Sequence, residues 1–88
     1  MKIRNGFVVR EVGDKKYAVA TGDSAKHFKG MLTLNDMGVF MFDLLKKQTT
    51  ESEIVDKILE EYDADRPTVE KDVAEFIAKL KEIDVIEE

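Results

Sequence analysis

Asp65-Arg66-Pro67-Thr68-Val69-Glu70-Lys71-Asp72-Val73-Ala74-Glu75-Phe76-Ile77-Ala78-Lys79-Leu80-Lys81-Glu82 is the stretch that decides how this chain folds. Val69, Val73, Phe76, Ile77 and Leu80 recur at intervals of three and four residues, and Ile83 continues the stripe. That period is the mark of an amphipathic helix with one face in a core. Asp65 is a candidate N-cap, and Pro67 falls in the first turn, where a missing N–H does no harm. A long helix therefore closes the chain.

Two shorter helices precede it. Thr50-Glu51-Ser52-Glu53 has the form of a capping box, in which the Thr50 hydroxyl accepts from the Glu53 amide while Glu53 reaches back. Ile54, Val55, Ile58, Leu59 and Tyr62 then form a single stripe, which predicts a helix ending near Tyr62. Upstream, Asn35 caps a helix expected over Asp36 to Lys47, with Asp36 well placed for the helix dipole. Met37, Val39, Phe40, Met41, Phe42, Leu44 and Leu45 make that helix apolar almost all round, as a central helix must be. Gly38 within it costs roughly 1 kcal/mol relative to alanine. Close packing against a sheet is the expected reason.

The first third is different in kind. Phe7-Val8-Val9-Arg10-Glu11-Val12 and Lys16-Tyr17-Ala18-Val19-Ala20 are β-favouring runs separated by Gly13-Asp14-Lys15, a hairpin with Gly13 free to take a positive φ. Thr21 to Gly30 is polar and holds two glycines, so a loop is expected. Met31-Leu32-Thr33-Leu34 is a third, short strand. Val85-Ile86 is an apolar tag expected to dock on the sheet. The order β-β-β-α-α-α defines an α+β fold, winged-helix-like, with a three-stranded antiparallel sheet followed by three helices.

With 88 residues the chain has room for one core, so residues 1–88 are expected to form one domain. Apolar residues at 43% and charged residues at 38% are values of a globular chain. No run approaches the ~18 apolar residues of a spanning helix, and MKIRNGFVV lacks the apolar core of a signal peptide. Cysteine is absent, which removes disulfides, thiolate metal sites and thiol nucleophiles. The expected location is the cytoplasm.

Nothing in the sequence forms a catalytic constellation. His27 is the single histidine and reads as a solvated loop residue. Asp63-Ala64-Asp65 lacks the glycine and distal glutamate of a calcium loop, so capping explains it better than a metal. No glycine-rich phosphate loop is present. The expectation is a chain with no catalytic residues, no metal and no cofactor.

Charge bears on the remaining choices. Residues 1–34 carry seven basic residues against three acidic ones, and the remainder seven against sixteen, giving +4 and −9 for an overall −5. A winged helix that reads DNA offers its third helix to the major groove. Here Arg66, Lys71, Lys79 and Lys81 are balanced by Glu70, Asp72, Glu75 and Glu82. A neutral helix beside an acidic one supplies little phosphate attraction. Protein or peptide binding is therefore favoured over a DNA-binding transcriptional regulator. A general protein-interaction module is the other alternative.

Several local patterns agree with one family. Leu34-Asn35 with Gly38 three residues on, Phe42-Asp43-Leu44-Leu45, Thr49 to Val55, Glu61-Tyr62-Asp63, and Asp72-Val73 leading to Phe76-Ile77 and Leu80 together resemble the PqqD family, from about Phe7 to Ile86. The resemblance implies three strands and three helices. It also implies recognition of the leader segment of a ribosomally made precursor peptide, and its delivery to a modifying enzyme, often a radical S-adenosylmethionine (SAM) protein. In that family the leader usually adds as a strand beside the third strand, in a groove walled by the third helix. One departure is Asp84, where relatives often carry glycine.

The residues themselves support such a mode. A short edge strand offers unpaired backbone groups to an extended peptide. Asp72, Phe76, Lys79 and Ile83 share one flank of the last helix. The expected peptide-binding residues are thus Met31, Leu32, Thr33 and Leu34 on the strand, with Asp72, Phe76, Lys79 and Ile83 on the helix.

Overall fold

The computed structural model describes residues 1–22 and 31–87. Its elements are β1 (Lys2–Ile3), β2 (Phe7–Val12), β3 (Lys15–Ala20), β4 (Met31–Leu34), α1 (Asp36–Leu44), α2 (Glu51–Glu61), α3 (Arg66–Glu82) and β5 (Ile86–Glu87). The expected α+β order is present: a three-stranded antiparallel sheet, β2-β3-β4, followed by three helices. The Thr21–Gly30 loop and His27 within it fall largely or wholly outside the described residues.

Residues Val12 and Lys15 pair across a two-residue turn in which Gly13 has φ +66°. Asp14 at the second central position does not share the positive φ, so the signs are those of a type II′ turn, which demands glycine first. The hairpin tip overhangs the core, and Val12 is left 65% exposed. Nearer the core, Ala18, Leu32 and Leu34 turn inward from the sheet.

Each helix start was legible, but the three caps differ. The Asn35 side chain accepts from the Gly38 amide at 2.7 Å. The Thr50 hydroxyl accepts from the Glu53 amide at 3.2 Å, while the Glu53 carboxylate accepts from the Thr49 hydroxyl at 3.0 Å. Half of the expected box is therefore made, and the glutamate reaches one residue further back. Asp65 stands at the N-cap position of α3 without a side-chain cap bond; its carboxylate accepts from the Thr68 hydroxyl at 3.2 Å.

The first helix ends at Leu44 rather than Lys47. The reason lies in the chain's first residues. The Ile3 amide donates to the Leu45 carbonyl at 2.8 Å, and Met1 and Thr49 exchange backbone bonds at 2.9 and 3.0 Å. Backbone groups just past α1 are thus satisfied by Met1 and Ile3 instead of by another helical turn. Val85-Ile86 also differs from expectation. Ile86 pairs with Ile3 in a separate two-stranded sheet, β1-β5, and does not join the three-stranded one.

One hydrophobic cluster joins all these parts. Leu32 and Leu34 from β4, Met41, Phe42 and Leu45 from α1 and its end, Ile54, Val55 and Ile58 from α2, and Val69, Val73, Ile77 and Leu80 from α3 are all buried in it. Ile3, Val85 and Ile86 close it from below. Gly38 is where α1 meets β4: a Cβ there would stand 3.3 Å from Leu34 Cδ2 and from Asn35 Oδ1. Met37 and Met41 contribute to the core as expected, Met41 buried and Met37 half-buried against it.

Candidate functional site

The short strand β4 lies at the margin of its sheet. In the order β2-β3-β4 it pairs with β3 alone, through Lys16↔Leu34, Tyr17↔Thr33, Ala18↔Leu32 and Val19↔Met31. Its other edge has no strand among the described residues. Leu32 and Leu34 face the core and Thr33 faces out, so alternation fixes which side each residue presents. A strand held this way is rigid on one side and has backbone donors and acceptors available on the other. It is also anchored at its end, because Asn35 caps α1 directly and Lys16 on β3 lies 3.5 Å from Asp36 on α1.

The third helix turns its face in two tiers. Val69, Val73, Ile77 and Leu80 form the fully inward stripe. Phe76 and Ile83 are only half-buried and pack on the border of the same core that receives Leu32 and Leu34. Asp72 and Lys79 are exposed, and among the described residues no ion pair or hydrogen bond engages the side chain of either. At ~100° per residue these four lie within about 60° of one another around the helix. The apolar pair therefore belongs partly to the core, while the charged pair is unspent.

The same helix shows what an engaged charge looks like. Arg66 donates to Asp56 on α2 at 2.8 Å and lies 4.0 Å from Glu70. Its guanidinium is held above the ordinary arginine value, first by the hydrogen bond to Asp56. That contact ties the start of α3 to α2, on the far end from Lys79 and Ile83.

The other end of α3 closes at Asp84. The Val85 amide donates to the Leu80 carbonyl at 2.9 Å and the Asp84 amide to the Lys81 carbonyl at 3.1 Å. These are the two bonds of a Schellman closure, which places Asp84 in the left-handed region at φ 61°. Buried Leu80 and Val85 supply the apolar contact that goes with it. Aspartate tolerates this conformation better than most residues, and Arg4 secures it: Nη2 donates to Asp84 Oδ1 at 2.8 Å and Nε to the Asp84 carbonyl at 3.1 Å. Ile83, one residue earlier, is thereby fixed in place. Arg4 had no role in the sequence reading, since nothing along the chain links positions eighty residues apart.

Of the eight residues expected to bind a peptide, Leu32, Thr33 and Leu34 lie on the free-edged strand, as does the backbone of Met31. Asp72, Phe76, Lys79 and Ile83 lie on one flank of α3 or at its C-cap. Both sets border a common core. No group of three or more metal-ligating side chains occurs among the described residues. No helix among them is long and apolar enough to cross a membrane.

Comparison with known proteins gives three findings. The model of the family described as Coenzyme PQQ synthesis protein D (PqqD) matches residues 19–86. A solved structure, TbiB1 in complex with the TbiA(beta) leader peptide, is 30% identical with a TM-score of 0.76, covering 99% of this chain and 95% of that one. A lasso peptide synthetase B1 complexed with the leader peptide is 21% identical with a TM-score of 0.69, covering 92% and 89%, and shows the shared fold. Among the curated proteins none matches.

Proposed function

The chain belongs to the PqqD family, and we propose that it is a non-catalytic recognition domain, one unit over residues 1–88, for the leader segment of a ribosomally made precursor peptide. The leader adds as an extra strand along Met31–Leu34 and rests side chains against the flank of α3 that carries Asp72, Phe76, Lys79 and Ile83. The observation that carries this reading is the edge position of β4, bound to β3 on one side and, among the described residues, without a strand on the other. TbiB1, similar over nearly the whole chain, is solved with a leader peptide bound. That likeness supports the same class of ligand here.

The mechanism is binding and presentation. Strand addition satisfies main-chain donors and acceptors of both partners, which gives affinity with little dependence on the peptide's sequence. Specificity then comes from the side chains that flank the added strand. A peptide held extended along a rigid edge is presented with its downstream part free for a modifying enzyme. We propose a radical SAM enzyme as that partner, the kind with which the family often works, and the cytoplasm as the place of action, where such precursors are synthesised.

Titration with the cognate leader peptide tests the edge. Thr33→Ala leaves the backbone intact and should bind as the wild type does. Thr33→Pro removes one of the strand's N–H donors and stiffens it, and should weaken binding sharply while the domain stays folded. Full affinity in a folded Thr33→Pro protein would place the peptide elsewhere.

A further inference from the structure

We infer that the bound segment is read by the order of its charges, with a cation opposite Asp72 and an anion opposite Lys79, separated by an apolar residue that rests on Phe76. This deepens the strand-addition reading and rests on it. The basis is the contrast along α3. Arg66 is consumed by Asp56 and Glu70. Asp72 and Lys79, by contrast, are exposed and their side chains have no partner among the described residues.

Their spacing suits an extended peptide and suits no internal pair. Seven residues of helix separate them by about 10.5 Å, too far for direct pairing. Phe76 falls between them, about 6 Å along the axis from Asp72, and Ile83 follows about 6 Å beyond Lys79. Residues on one face of an extended strand recur about every 6.6 Å. Alternate positions of the peptide therefore meet Asp72, Phe76, Lys79 and Ile83 in turn, as cation, apolar, anion, apolar. Flexible arginine, lysine and glutamate side chains absorb the remaining mismatch of about 3 Å between four peptide residues and seven helical ones.

Because the two protein charges have opposite sign, net attraction does not distinguish a peptide from its charge-exchanged isomer. Only order does. Complementary charges at such a rim set register and reject mispaired partners more than they add affinity. A leader bound one alternation out of register would set its charges against Phe76 and Ile83 and leave Asp72 and Lys79 facing apolar residues, and a slip of two would bring like charges together, so this pair also fixes which backbone groups meet β4.

Two fluorescent synthetic peptides of identical composition test this. Both carry leucines at alternate positions with one arginine and one glutamate about four positions apart; in the first the arginine precedes the glutamate, in the second it follows. One order should bind this chain about tenfold more tightly at low salt, and the preference should shrink as salt screens the pairs. The variant carrying both Asp72→Lys and Lys79→Asp should invert the preference. Equal affinity for the two orders, or a preference that the double variant leaves unchanged, overturns the inference. Thr33→Pro separates this from the underlying reading. If it weakens both peptides while order makes no difference, strand addition stands and charge reading falls. If both bind Thr33→Pro undiminished, the edge reading falls as well.

Discussion

Arg4 reaches across the molecule to Asp84, with Nη2 2.8 Å from Oδ1 and Nε 3.1 Å from the backbone carbonyl. The contact joins the end of β1 to the residue that ends α3 with a positive φ. It fixes the exit of the helix, the start of β5, and with them Ile83 at the border of the candidate site. Asp84→Gly should remain within about 0.5 kcal/mol of wild type, because glycine removes the left-handed penalty as it removes the ion pair. Asp84→Val should lose about 2 kcal/mol or more, since a β-branched residue is strained there and has no bond to Arg4. Urea unfolding of the two variants distinguishes them.

The caps make a graded series. Asn35→Ala removes an accepting side chain from the start of α1 and should cost about 1 kcal/mol, as should Thr50→Ala at α2. Asp65→Ala should cost less than either, because its carboxylate accepts from Thr68 rather than from a helix amide. Equal losses at all three positions, measured by thermal or urea unfolding, would contradict the cap assignments.

Phe76 and Leu80 are one turn apart but should behave differently. Leu80 is wholly buried, and Leu80→Ala should cost about 2–5 kcal/mol. Phe76 is half-buried, so Phe76→Ala should cost less in stability and more in peptide affinity. A Phe76→Ala protein that binds leader normally would return this residue to the core alone.

Duplex DNA should not bind at physiological salt, even at tens of micromolar, the range where nonspecific binders begin to associate. The acidic second half of the chain and the balanced charge of α3 are the reason. Salt-sensitive retardation of DNA at low micromolar protein would favour a regulator instead.

Most of the fold was legible because its signals are local. The stripe of α3, the accepting side chains of Asn35 and Thr50, and the glycine of the first turn each act within a few residues. Gly38 was also readable, as a cost that only close packing against Leu34 explains. What escaped was long-range. Two residues at each end of the chain form β1-β5, and strands that short have no periodicity to find. The early end of α1 followed from the same cause, since the Ile3 amide takes the Leu45 carbonyl. Within the site, the strand and the helical flank were legible from alternation and helical period. The free state of Asp72 and Lys79 was not, because charge pairing depends on neighbours that the sequence does not order in space.

Genome context gives an independent prediction. A gene for a short peptide and one for a radical SAM enzyme should lie beside the gene for this chain. A neighbourhood of promoter-controlled operons with neither would speak for a regulator.

Amide hydrogen exchange with and without that leader peptide tests the central claim most directly. Added as a strand, the leader should slow exchange at amides of β4 between Leu32 and Leu34 and shield the flank of α3 around Phe76 to Ile83, leaving β2 unchanged. Protection that appears along Phe7–Val12 at the opposite edge of the sheet, with β4 exchanging as in the free protein, would contradict it.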